Sequence, residues 1–167
     1  TRASLTSLLP VHPAAAVFGL AYGLSAPLIS LALHERGITE SVIGANAAMY
    51  ALGVLAMAPR LPGSITRWGS WPLLVFGLLV VALTLPLFWL LPWIGVWFVL
   101  RFLLGVGSET VMVLTETWVS SSSEEARRST NIAVYTASLS AGFAIGPAIL
   151  SGLGTHSWGT YGVGSVV

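Results

Sequence analysis

Residues 101–118, RFLLGVGSETVMVLTETW, carry one guanidinium and two carboxylates, Arg101, Glu109 and Glu116, in a run otherwise apolar enough for a bilayer. A charge at the centre of a membrane helix costs roughly 2.5–3.5 kcal/mol on insertion scales, so three in one span call for a use. At about 100° per residue, Arg101, Gly105, Ser108, Met112 and Glu116 fall within a stripe roughly 80° wide, with Glu109 at its edge. All three charges thus share one side of the helix, and Leu100, Leu103 and Leu114 occupy the other. Such a stripe looks into a protein interior or a water-filled cavity. Glu109 is nearest the midplane and short in reach, which makes it the candidate for binding and releasing protons. Arg101 is deep, with a stem long enough to reach the outer interface. Glu116 lies near the opposite interface beside Trp118, where an end charge snorkels into water or meets Arg127 and Arg128.

The surrounding composition fixes the solvent. Of 167 residues, 55% are apolar and 8% charged, against roughly 25% charged in a typical soluble domain. So few charges do not cover a water-soluble protein of this size, and the bilayer takes water's place. The net charge of +1 gives no support for nucleic-acid binding. With no cysteine, disulfides and thiolate metal sites are excluded, and His12, His34 and His156 lack ligand-like spacing. No metal or other cofactor is expected.

A span needs about 20 mostly apolar residues. Segments near 14–33, 41–61, 72–91, 94–119 and 131–153 qualify, joined by HERGITE, PGSITRWGSW, LPW and SSSSEEARRST. Residues 158–167 read as the start of a sixth span. Arg2 and Pro10 precede the first, and no cleavable signal is recognised there. With the N-terminus in the cytoplasm, Arg2, Arg60, Arg67, Arg127 and Arg128 fall inside and only Arg36 outside, as the positive-inside rule requires. Trp68, Trp71, Trp89, Trp93, Trp118 and Trp158 mark the interfaces as an aromatic belt does.

Membrane helices associate by close packing of small residues. In the fifth span Ser138, Gly142 and Gly146 recur every four residues and are followed by Pro147, whose missing N–H frees the carbonyl one turn back. Gly105 and Gly107 in the fourth span, and Gly19, Gly23 and Pro27 in the first, belong to the same vocabulary. The second and fifth spans each carry an Asn–Tyr pair, Asn46/Tyr50 and Asn131/Tyr135, and a late Pro after a small residue. Such a correspondence suggests an inverted three-helix repeat.

These residues resemble the N-terminal six-helix half of the major facilitator superfamily, over nearly the whole chain. Arg101, Gly105 and Gly107 match its fourth-helix motif. Gly142, Gly146 and Pro147 match the fifth-helix motif typical of antiporters, with Leu150 and Ser151 where two glycines are expected. EEARRS resembles the loop between helices four and five, and TETW a Glu-Ser-Trp element of one poorly characterised branch. In the loop between helices two and three, Arg67 and Gly69 match, but Thr66 stands for the Asp, and Ser70 and Trp71 for the basic pair. A gating latch that relies on the Asp is therefore weakened or built differently.

The resemblance implies an all-α polytopic membrane bundle, the N-terminal half of a transporter, with five complete transmembrane helices and a partial sixth. It implies a secondary transporter in the plasma (inner) membrane that moves a small-molecule substrate by alternating access, with protons as the expected coupling ion and antiport leaning toward export. Tyr22, Ser25, Asn46, Arg101 and Glu109 become the candidate cavity contacts. The chain is expected to be a fragment that needs a C-terminal six-helix bundle and does not transport alone. A non-transporting membrane scaffold is the alternative. An intramembrane hydrolase ranks lower, because there is no Asp and no His lies mid-span beside a Ser.

Overall fold

The computed structural model describes residues 11–123 and 125–153, which are helical apart from short connections. The helices are α1 (Val11–Glu35), α2 (Glu40–Met57), α3 (Leu61–Trp68), α4 (Ser70–Leu90), α5 (Ile94–Ser122) and α6 (Arg128–Leu153). Residues 40–68, 70–90 and 94–122 are three stretches long and apolar enough to cross a membrane. The expected start of a sixth span at 158–167, with Arg2, Pro10, His156 and Trp158, lies outside the described residues.

The connections follow from local chemistry. α1 stops where Gly37 takes φ +73°. There the Gly37 N–H donates to the His34 carbonyl at 2.9 Å and the Ile38 N–H to the Leu33 carbonyl at 3.2 Å, the paired bonds of a Schellman cap. Residues 62–68, expected to be loop, are instead helical. Pro59 sits in a 3-10 turn, Ala58–Arg60, and Pro62 at the start of α3. A proline in a first turn removes an N–H that has no helical partner, so the chain restarts rather than unravels. Only Gly69, at φ +84°, separates α3 from α4.

Glycines set which helices touch. A Cβ on Gly19 or Gly23 would strike the carbonyls of Leu139 or Phe143 in α6, and one on Gly142 would strike that of Ala16 in α1. Gly53 and Gly105 stand in the same relation to Phe102 and Tyr50, locking α2 to α5. Each glycine meets the carbonyl three residues before the partner glycine, so the α1–α6 and α2–α5 seams are built alike. α1 pairs with α6 and α5 with α2, the equivalence an inverted repeat demands. Gly107, only two residues from Gly105, faces another neighbour: its Cβ position lies 3.1 Å from the Gly77 carbonyl in α4. Pro147 leaves the Phe143 carbonyl without its helical donor, and that oxygen is the one Gly23 packs against, where a Cα–H contact can reach it.

Five of the belt tryptophans are exposed, Trp68, Trp71, Trp89, Trp93 and Trp118, as are Leu55, Phe76 and Leu83 on the outer helix faces. Trp97 is the exception at 0% exposure. It stacks edge-on against Phe88 at 5.2 Å and donates its Nε1–H to the Leu91 carbonyl at 2.7 Å. Arg36 covers it, with the guanidinium carbon 4.4 Å from the ring centroid and Nη1 donating to the Pro92 carbonyl at 3.1 Å. One side chain thus ties the α1–α2 connection to the α4–α5 connection. Arg36→Ala is expected to destabilise the bundle by about 1–2 kcal/mol through the lost cation–π contact and hydrogen bond, read as a lower thermal midpoint in detergent. An unchanged midpoint would show the clasp to be idle.

Candidate functional site

The polar centre of the bundle gathers where α1, α2 and α5 meet. The close approach at Gly53 and Gly105 brings the α2 backbone against α5 and carries Tyr50 over the α5 polar stripe. Arg101 is only 5% exposed. Its Nη1 donates across to the Ser25 carbonyl of α1 at 3.4 Å, and its guanidinium carbon lies 5.7 Å from the Tyr50 ring centroid. The Tyr50 side chain neighbours Ser108 and Tyr22. Tyr22 in turn meets Tyr50 and Phe143 at ring distances of 5.2 and 5.1 Å. Ser25 is buried, with its hydroxyl turned back to the Tyr22 carbonyl at 2.9 Å.

Asn46 lies one turn from Tyr50 and two turns from Gly53, hence on the α5-facing side of α2. It is 1% exposed, and among the described residues its Nδ2 has no hydrogen-bond partner; neither has the buried Nε of Arg101. The symmetry-related pair in α6 differs. Tyr135 shares a 2.9 Å hydrogen bond with Thr115, and Asn131 donates to Ser123 at 2.9 Å. Among the described residues Asn131 has its amide nitrogen satisfied and Asn46 does not.

The structure therefore joins Arg101, Ser25 and Tyr22 in one neighbourhood and adds to them Tyr50 and, on the same stripe of α5, the buried Ser108, neither of them a site candidate from the sequence; Asn46 stands one turn from Tyr50 along α2. Their signal was available: Tyr50 is i+4 from Asn46, and Ser108 lies on the charged stripe. The acids are not part of this cluster. Glu109 is two turns from Arg101, about 12 Å along the axis, and is half-buried, with Glu116 as its charged neighbour. Glu116 and Met112 are exposed. The stripe thus runs from the interior at Arg101 to the bundle surface at Glu116, and the three charges share a face without sharing an environment. Leu100 and Leu114 on the opposite side are buried, whereas Leu103 is exposed.

Arg67 and Gly69 lie at the α3–α4 junction. Arg67 is exposed, 5.9 Å from the Trp68 ring centroid. Thr66, in place of the Asp, donates to its own helix at the Gly63 carbonyl, 2.8 Å away, and so offers no charged contact. A cleft of about 300 Å³ opens beside this junction among Trp71, Leu74, Trp118 and Thr117. None of the interior polar residues lines it.

A bundle of long apolar helices around a buried guanidinium defines an integral membrane protein with a polar interior. The chain belongs to the Major Facilitator Superfamily, whose family model matches residues 11–167. It is 34% identical over 131 residues to "Uncharacterized MFS-type transporter YfkF" of Bacillus subtilis, covering 78% of this chain and 34% of that protein. It is also 26% identical over 128 residues to "Multidrug resistance protein 2" of the same organism, covering 77% of this chain and 32% of that protein. The chain thus spans about a third of the length of the curated relatives it matches. No solved structure matches it.

Proposed function

We propose that this chain is the N-terminal bundle of a secondary active transporter that moves a small solute by alternating access and performs no catalysis. The observation that carries the proposal is Arg101, a full charge held in the protein interior among Ser25, Tyr22 and Tyr50. A buried guanidinium is costly, and an inert bundle gains nothing from keeping one. Membership of a transporter family gives independent support. A second six-helix bundle closes the cavity from the other side, and the arginine distribution supports a cytoplasmic N-terminus in the plasma membrane.

Glu109 is the proposed proton carrier. It is half-buried and forms no ion pair among the described residues, so its proton can be exchanged without breaking a bridge. Export is the favoured direction, supported by the Gly142–Gly146–Pro147 element and by the relative named for multidrug resistance. Glu109→Gln in the complete protein is expected to abolish pH-driven transport in vesicles by about tenfold or more, since a permanently neutral amide cannot exchange the coupled proton. Undiminished pH-driven activity would remove Glu109 from the mechanism.

A further inference from the structure

We infer that the cleft between α3, α4 and α5 holds an anionic phospholipid of the adjoining leaflet, with an acyl chain in its depth and the phosphate at its mouth. The inference needs only that the chain lies in a membrane, and it goes beyond the proposed transport. Gly77 packs against Gly107 and Val111, and Phe88 against Trp97, so α4 and α5 run antiparallel. That register sets Ser70, at the start of α4, near the level of Thr117, and Leu74 near that of Leu114. All four line the cleft, whose volume of about 300 Å³ is at the lower end of the range for small-molecule sites. Ser121 lines it one turn beyond Thr117, about 10 Å along the helix from Leu114.

The lining thus changes from hydroxyls at the mouth to leucines below. A bilayer passes from headgroup to hydrocarbon over a comparable depth, about 5–8 Å a side. Trp71 and Trp118 flank the cleft and are exposed, as belt tryptophans at headgroup level are. An amphiphile matches this gradient along its length. Charge then selects the headgroup. Residues 58–90 contain Arg60 and Arg67 and no acid. Arg67 is exposed in the last turn of α3, two residues from Ile65, which lines the cleft from that helix. Glu116 precedes Thr117 but lies roughly 100° or more around α5 from each lining residue of that helix. After α5, Glu124 and Glu125 are matched by Arg127 and Arg128. The surplus charge on this side is positive, and basic pockets between membrane helices hold anionic headgroups.

The test uses the complete protein in detergent, with dioleoyl phosphatidylglycerol and dioleoyl phosphatidylcholine as probes that share chains and differ in charge. Bound lipid is counted by native mass spectrometry. Phosphatidylglycerol is expected to bind at least about fivefold more tightly. Thr117→Trp, which fills the cleft from an exposed position, should weaken it by about tenfold. Arg67→Gln should remove the preference over phosphatidylcholine. Elution as a single species by size exclusion qualifies each variant. Phosphatidylglycerol with brominated chains adds a second reading: a saturable part of the tryptophan quenching, absent from Trp71→Phe/Trp118→Phe. Glycerol phosphate, the headgroup without chains, should not compete. Equal binding of the two lipids, tighter phosphatidylcholine, or displacement by glycerol phosphate overturns the inference. So does a folded Thr117→Trp variant with wild-type affinity, or quenching that the double variant leaves unchanged. Either would give the cleft to another occupant, such as a segment of the rest of the protein.

Discussion

Gly142→Val is expected to prevent the bundle from folding, and Gly142→Ala to lower its stability by about 1–3 kcal/mol or more. A Cβ at this position lands against the Ala16 carbonyl oxygen, with the Leu20 nitrogen at 2.7 Å and the Ala16 carbonyl carbon at 2.9 Å. All three are backbone atoms, so no rotamer change relieves the clash; α1 and α6 must separate. Separation removes the seam at Gly19 and Gly23 as well, and with it the packing on which membrane helices depend in place of a hydrophobic drive. Gly44, where nothing lies within 4 Å of the built Cβ, supplies the opposite case. Gly44→Ala adds the same methyl to open space in α2 and should leave stability unchanged or raise it by up to about 1 kcal/mol. Thermal midpoints of the two alanine variants in one detergent decide the matter, and similar shifts would refute the seam.

Arg101→Leu is expected to separate stability from function. Exchanging a buried charge for an apolar group of similar volume is often neutral or stabilising, and among the described residues the side chain forms one long hydrogen bond. The thermal midpoint should therefore hold. Transport by the complete protein should fall by about a hundredfold or more, the equivalent of two charge-assisted hydrogen bonds at about 1.5–3 kcal/mol each. Arg101→Lys keeps the charge but loses the planar fork, and should recover only part of the loss. A collapse in thermal stability with Arg101→Leu would instead mark the residue as a strut between α1, α2 and α5. Full activity with Leu would dismiss it from the site.

Some of this was legible residue by residue. The runs that became the helices α1, α2, α4, α5 and α6 could be read directly, and those of α2, α4 and α5 fall in stretches long and apolar enough to cross a membrane, because transfer to a bilayer is a property of each segment alone. Tryptophans at their ends announced the interfaces, and five of the six belt positions lie within the described residues and are exposed. The Gly142–Gly146 spacing announced a groove. Trp97 was silent: nothing in its neighbours indicates that Arg36, in a different connection, closes over it. The helical run at 62–68 was also missed, because prolines and Gly63 read as loop until their places in the first turns are known.

Sequence by itself determined the solvent, the helices and the set of polar residues that had to be sheltered from lipid. Tertiary structure alone decided which helix each glycine admits, sending Gly105 to α2 and Gly107 to α4. It also buried Arg101 and left Glu109 half-exposed, although both lie on one stripe, and among the described residues it left Asn46 unpaired where Asn131 is bonded. The physical reason is the range over which each is set. Hydropathy and helix periodicity are summed along the chain, whereas the partner of a side chain depends on the register between helices, which is settled only when their backbones come into contact.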